Sequence, residues 1–139
     1  MNKKQSEKGG VNLEDIFSQD NADRGELLEI TLPTGGEFKL RVKGYDSFEY
    51  RSARAKMNAS EVKRKKLEDE VYFSEKEMER RHVNECKLHS VLITGWEGVN
   101  GEFTKERAEN MLIKSPYVLV LVKDFASNRV NFMKGLQEK

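Results

Sequence analysis

The first strong pattern along the chain is an alternation. In "LLEITLPTGGEFKLRVKGY", Ile30 and Leu32 alternate with Glu29 and Thr31, and Phe38, Leu40 and Val42 alternate with Lys39, Arg41 and Lys43. A period of two on both sides of "PTGG" predicts two strands, each with one buried face, joined as a hairpin. Gly35 and Gly36 are expected to supply the positive φ values of the turn. After Gly44 the pattern changes. Asp46 or Ser47 suits the cap of a helix that starts at Phe48 and runs into the sixties, rich in alanine and free of proline and glycine. A break is expected between Leu67 and Phe73. "SEKE" then reads as a capping box, with Ser74 as N-cap and Glu77 three positions on. The helix it opens is expected to reach about Thr94, with Gly95 in the left-handed position beyond its end. Thr104 caps a short helix to about Lys114, and Ser115-Pro116 starts another. "YVLVLV" alone suits a buried strand. Val118, Leu121, Val122, Phe125, Arg129 and Phe132 fall at helical spacing, however, and the capped start favours helix. Ahead of the hairpin, Met1 to Gly25 is polar, and only Val11, Leu13, Ile16 and Phe17 offer apolar packing. The expectation is therefore α+β, mainly α. A flexible arm over residues 1–25 precedes one domain over residues 26–137, an N-terminal β-hairpin followed by three to four helices.

Composition narrows the function classes. A chain of 139 residues suits a single domain with a modest core. Lys and Arg number 25 against 24 Asp and Glu, so no global field draws the protein to nucleic acid or an anionic membrane. No apolar run is long enough to span a bilayer, and the basic start lacks the apolar stretch of a secretory signal. Cys86, the only cysteine, has no internal disulfide partner, which fits a reducing cytoplasm.

Three constellations carry candidate chemistry. Trp96, the single tryptophan, sits between Gly95 and Gly98 with Glu97 beside it, and Phe103 precedes the next helix cap. An aromatic ligand platform is one reading. One aromatic without convergent polar groups makes a structural corner the stronger one, with Phe103 stapled against Ala108. His82, Cys86 and His89 lie at i, i+4 and i+7 on one helix face that Met78 and Ile93 continue. They are zinc-ligand types, but a structural zinc needs four ligands, and no other His or Cys exists in the chain. A half-buried face is expected, with no metal and no cofactor. Arg51, Arg54, Lys56, Lys63, Arg64, Lys65 and Lys66 form a basic stretch, followed by acidic Glu68, Asp69, Glu70, Glu75, Glu77 and Glu79. A nucleic-acid-binding helix would interleave aromatics with the basic residues, and none are interleaved here. Opposite charges attracting within one chain or between copies is the alternative, and Arg51, Arg54, Lys63, Arg64, Lys65 and Lys66 are a candidate partner or self-association surface. No nucleophile elbow, phosphate loop or zinc-protease motif occurs, so an enzyme is not expected.

"GWEGV", a polar turn, "FTKERAENML", a proline-started last helix and "RVNFM" together resemble the tail assembly chaperones of long-tailed bacteriophages. The matching residues are Gly95, Trp96, Glu97, Gly98, Phe103, Thr104, Pro116, Asn131 and Phe132. Upstream, "VKGYDSFEYRSA" is similar to the family's strand end and following motif through Val42, Gly44, Asp46, Ser47 and Tyr50. The blocks run in order between Leu28 and Met133, while the charged middle, residues 63–79, and the arm lie outside the resemblance. The resemblance implies a non-enzymatic helper of the host cytoplasm that binds the tape measure protein in many copies, keeps it soluble, helps recruit the major tail protein and leaves before the virion is complete. Many relatives also carry a frameshifted extension, and a chain ending at Lys139 would be the unextended product or a relative that lacks the shift. A minor tail protein retained in the virion and a small nucleic-acid-binding regulator using residues 51–66 are the alternatives.

Overall fold

The computed structural model describes residues 9–64 and 69–133. The alternating segments form β1 (Glu26–Thr31) and β2 (Glu37–Val42), paired antiparallel with Leu28 opposite Leu40 and Ile30 opposite Phe38. Ile30, Leu40 and Val42 are buried, while Glu29, Thr31 and Glu37 are exposed, so the alternation sets which face is covered within the strands; Leu32, expected on the buried face, lies just past β1 and is exposed. In the connecting loop the Gly35 N–H donates to the Leu32 carbonyl and the Leu32 N–H to that of Gly36. Only Gly35 takes the positive φ, at 96°, so the loop follows the three-residue pattern with a single left-handed position, and Gly36 is not a second one.

The fold is α+β and mainly helical, but it is more than a hairpin followed by three to four helices. Helix α1 (Gln19–Arg24) precedes the hairpin, and a third strand, β3 (Ile93–Glu97), pairs antiparallel with β2 to give the order β1-β2-β3. Among the described residues there are six α-helices. The others are α2 (Phe48–Val62), α3 (Asp69–Tyr72), α4 (Glu75–Ser90), α5 (Lys105–Lys114) and α6 (Pro116–Ser127), with short 3-10 turns at Leu13–Ile16 and Arg129–Phe132. Three of the four caps form as the side chains predict, while Ser115 makes no side-chain cap bond ahead of Pro116. Ser47 accepts from the Tyr50 N–H, Ser74 from Glu77 and Thr104 from Arg107. Glu77 turns its carboxylate to neighbouring arginines, as described below. The "YVLVLV" segment is helix, with Pro116 in its first turn.

Two boundaries move. Helix α4 stops at Ser90 rather than near Thr94, and Gly95 is a strand residue opposite Arg41 without a positive φ. The run Val91–Thr94 is β-branched or apolar, and the free edge of β2 offers it pairing that a further helical turn would forgo. The arm expected to Gly25 is docked from Gln19 onward. Gln19 Nε2 donates to the Asp46 carbonyl at 2.8 Å, Asn21 Nδ2 to that of Phe132 at 2.8 Å, and the Gly44 N–H to that of Ala22 at 3.0 Å. Asp23 Oδ1 accepts the Phe48 N–H, the first orphan donor of α2, at 2.9 Å. Helices α4, α5 and α6 cover the buried face of the sheet. Leu88, Leu92, Leu112, Val118, Leu119 and Val122 meet Ile30, Leu40, Val42 and Ile93 there.

Candidate functional site

The tryptophan lies on the edge strand of the sheet, and the corner follows it. Trp96 pairs with Leu40, is half-buried, and meets Phe103 edge-on at 5.1 Å between ring centroids. Its Nε1–H donates to the Gly101 carbonyl at 3.2 Å. Arg107, in the first turn of α5, sits 5.1 Å from the indole centroid and donates to the carbonyls of Glu102 and Asn100 at 2.6 and 3.1 Å. Gly98 and Gly101 take φ of 84° and 98°, conformations that side chains disfavour, so these two glycines permit the loop that wraps the arginine. Pairing, aromatic and cation contacts are all internal, which makes this a locked loop. Glu97 is exposed opposite Lys39.

The remaining motif residues converge far from their sequence neighbours. Asp46 accepts two hydrogen bonds from Arg129, at 2.6 and 3.0 Å, which hold its carboxyl below the usual aspartate range. Asn131 Nδ2 donates to the Phe125 carbonyl at 3.0 Å, and buried Phe132 stands edge-on to Phe125. At Gly44 a β-carbon would lie 3.0 Å from Ala22 Cβ and 3.1 Å from Phe132 Cε2, so the glycine lets α1, β2 and the last turn meet. Tyr50 is buried and stacks on Tyr45 at 4.3 Å.

The face of α4 expected to be half-buried holds a polar cluster. Fully buried His89 has Nδ1 2.9 Å from the Glu85 carbonyl, which only accepts, so Nδ1 carries the proton and Nε2 accepts from the Tyr45 hydroxyl at 2.7 Å. Glu85 also pairs with Lys123 at 3.0 Å. Burial pushes the His89 pKa down and the Tyr45 pKa up, so both stay neutral. His82 Nε2 contacts the Ile113 carbonyl, and the buried Cys86 thiol, pushed up to about 11 by desolvation, stays protonated. Ile93 is buried on β3 rather than on the helix, and Met78, one turn before His82 on α4, is exposed, so the face is covered only toward its C-terminal end. Among the described residues no group of three or more His, Cys, Asp or Glu is placed to hold a metal.

Among the described residues the two charge blocks touch at Arg64 and Glu77, and arginines outside the basic block do the rest of the bridging. Arg80 bridges Glu61 of α2 and Glu77 of α4, with nitrogen–oxygen distances of 3.1 and 2.9 Å, and Glu77 also takes Arg81 and Arg64 at 3.4 and 3.5 Å. The six candidate surface residues therefore divide. Arg54 lies over the Tyr50 ring and bonds its hydroxyl, Arg64 joins the network, and Arg51 and Lys63 are exposed. Lys65 and Lys66 lie outside the described residues.

Apolar side chains left in solvent form the other surfaces. Around the junction of α3 and α4, Val71, Tyr72, Phe73 and Met78 are exposed, and Tyr72 and Phe73 pack edge-on with Arg81 over the tyrosine ring. Tyr117, Val120 and Val130 are exposed on and after α6. Sequence reasoning did not find the roles of Tyr45, Glu85, Arg107 or Lys105. The Lys105 Nζ donates to the carbonyls of Ser90, Val91 and Ile93, closing the end of α4 from across the loop. Only a three-dimensional neighbour reveals such a cap. Among the described residues no helix is long and apolar enough to cross a membrane. No family model, curated protein or solved structure matches the chain.

Proposed function

We propose that this protein is a phage tail assembly chaperone that binds the tape measure protein, keeps it soluble and promotes assembly of the tail tube. Its place would be the host cytoplasm, with the mature virion lacking it. The observation that carries the reading is the pairing of internally satisfied motifs with an exposed aromatic surface. The residues of the family resemblance (Gly44, Asp46, Ser47, Tyr50, Trp96, Phe103, Asn131 and Phe132) hold the fold together, while Val71, Tyr72, Phe73 and Met78 face solvent beside charged helices. Exposed aromatic and methionine side chains adapt to apolar stripes on a long helical partner, and many weak contacts along a filament give avidity without tight single sites. No catalytic chemistry is required of the protein in this role.

The nucleic-acid alternative is weakened by the engagement of Arg54 and Arg64 with Tyr50, Glu61 and Glu77. Co-expression with the tape measure protein of the same phage, followed by purification at low and moderate salt, tests the reading. Several copies should remain bound at both salt concentrations. Recovery of nucleic acid alone, lost as salt rises, would overturn it in favour of the regulator. Presence of the chain in purified virions would favour the minor tail protein.

A further inference from the structure

Helix α2 has two apolar faces, and only one is used. Tyr50, Ala53 and Met57 pack inward. On the opposite side, Phe48, Ala55, Ala59 and Val62 fall at i, i+7, i+11 and i+14 and are all exposed, Phe48 by 67% and Val62 by 83%. Cations border this stripe, with Arg51 on one flank and Lys56 and Lys63, two turns apart, on the other. Among the described residues no salt bridge engages Lys56, Lys63 or Arg51; the Arg51 guanidinium donates to the Asp46 carbonyl.

The segment before α1 has the complementary chemistry. Val11, Leu13, Ile16 and Phe17 are 52–68% exposed, acidic Glu14 lies among them, and acidic Asp20 follows in the first turn of α1. Its root is fixed beside the start of α2, through the Gln19–Asp46 and Asp23–Phe48 hydrogen bonds. Yet Val11, Leu13, Ile16 and Phe17 and the α2 stripe of the same chain are all exposed, so these apolar side chains do not cover their own helix.

We propose that residues 11–20 of one copy dock on the outer α2 face of a second copy, apolar residues on the Phe48–Val62 stripe and acidic residues toward Lys56 and Lys63. Opposite charges fix the orientation, and apolar burial supplies most of the affinity. A contact of about ten residues is well below the size of a stable standard interface, so association is weak and depends on concentration. The contact requires no tape measure protein and does not rest on the chaperone reading.

Sedimentation velocity of the isolated protein over a concentration series, in low salt, tests this. The parent should associate. A Glu14→Lys/Asp20→Lys variant and a Lys56→Glu/Lys63→Glu variant should each dissociate roughly tenfold or more readily, because like charges now face each other. The substituted side chains are exposed, and unchanged circular dichroism confirms that each variant folds. An equimolar mixture of the two variants restores both charge pairings and should associate again, and removal of residues 1–17 should abolish association. A parent that stays monomeric throughout overturns the proposal. So does a variant that associates alone as the parent does, or a mixture whose partners remain apart.

Discussion

Tyr45 and His89 share a 2.7 Å hydrogen bond at the centre of the molecule, with the imidazole fully buried. The pair ties the segment after β2 to α4, and Tyr50 stacks on Tyr45 beside it. The groups around His89 are Glu85 on its own helix, Tyr45, Tyr50 and Arg54 from the α2 side, and Lys123 from α6.

This arrangement makes stability depend on pH near neutrality. Burial lowers the His89 pKa below its ordinary 6.5. As pH falls through 6.5, the unfolded chain takes up a proton that the folded chain refuses, so the stabilisation present above that value is progressively lost. Denaturation curves at pH 7.5 and 5.5 should show a loss of at most about 1.4 kcal/mol per pH unit from this group. His89→Gln should flatten that dependence. Asp46, lowered by Arg129, acts in a separate window, its contribution being lost only below about its ordinary 3.8.

Replacing Lys105 by methionine keeps most of the unbranched stem and removes the donor to the carbonyls of Ser90, Val91 and Ile93. The residue is partly solvated, so the expected cost is only about 1 kcal/mol, read as a lower denaturation midpoint with an unchanged slope.

Gly44→Ala should be more harmful than its size suggests. The added methyl would sit 3.0 Å from Ala22 Cβ and 3.1 Å from the Phe132 ring, forcing α1 or the last turn outward. Thermal unfolding should report a loss of about 1–3 kcal/mol, as for other overpacked sites.

Local rules placed the caps at Ser47, Ser74 and Thr104, because each is decided by a side chain and a backbone N–H within four residues. Strands β1 and β2 were legible because a long alternation flanks a glycine turn. Strand β3 was not, since its five residues show little alternation and its partner lies some fifty positions away. The same non-locality hid α1, whose polar sequence gains stability from Asp46, Phe48 and Phe132 rather than from its own periodicity. The sequence marks Trp96 as the pivot of a corner, but its contacts with Gly101 and Arg107 join groups that only the closed loop brings together.

Trp96→Ala removes the contacts with Phe103 and Arg107 and the Nε1–H bond to Gly101. Because the ring is half-buried, the expected cost is about 2–4 kcal/mol, toward the lower part of the range for large-to-small changes. A variant with an unchanged melting temperature and lost partner binding would instead make Trp96 a contact residue.

The chaperone reading is tested most directly by the soluble yield of the tape measure protein. It should be co-expressed with the parent chain, with a Val71→Glu/Phe73→Glu variant, or alone. Both substituted side chains are exposed, so the variant should melt close to the parent. The parent should raise soluble tape measure protein well above the level without it and co-purify in several copies, and the variant should do neither. Equal soluble yield with and without the parent chain, and no co-purification, would contradict the account.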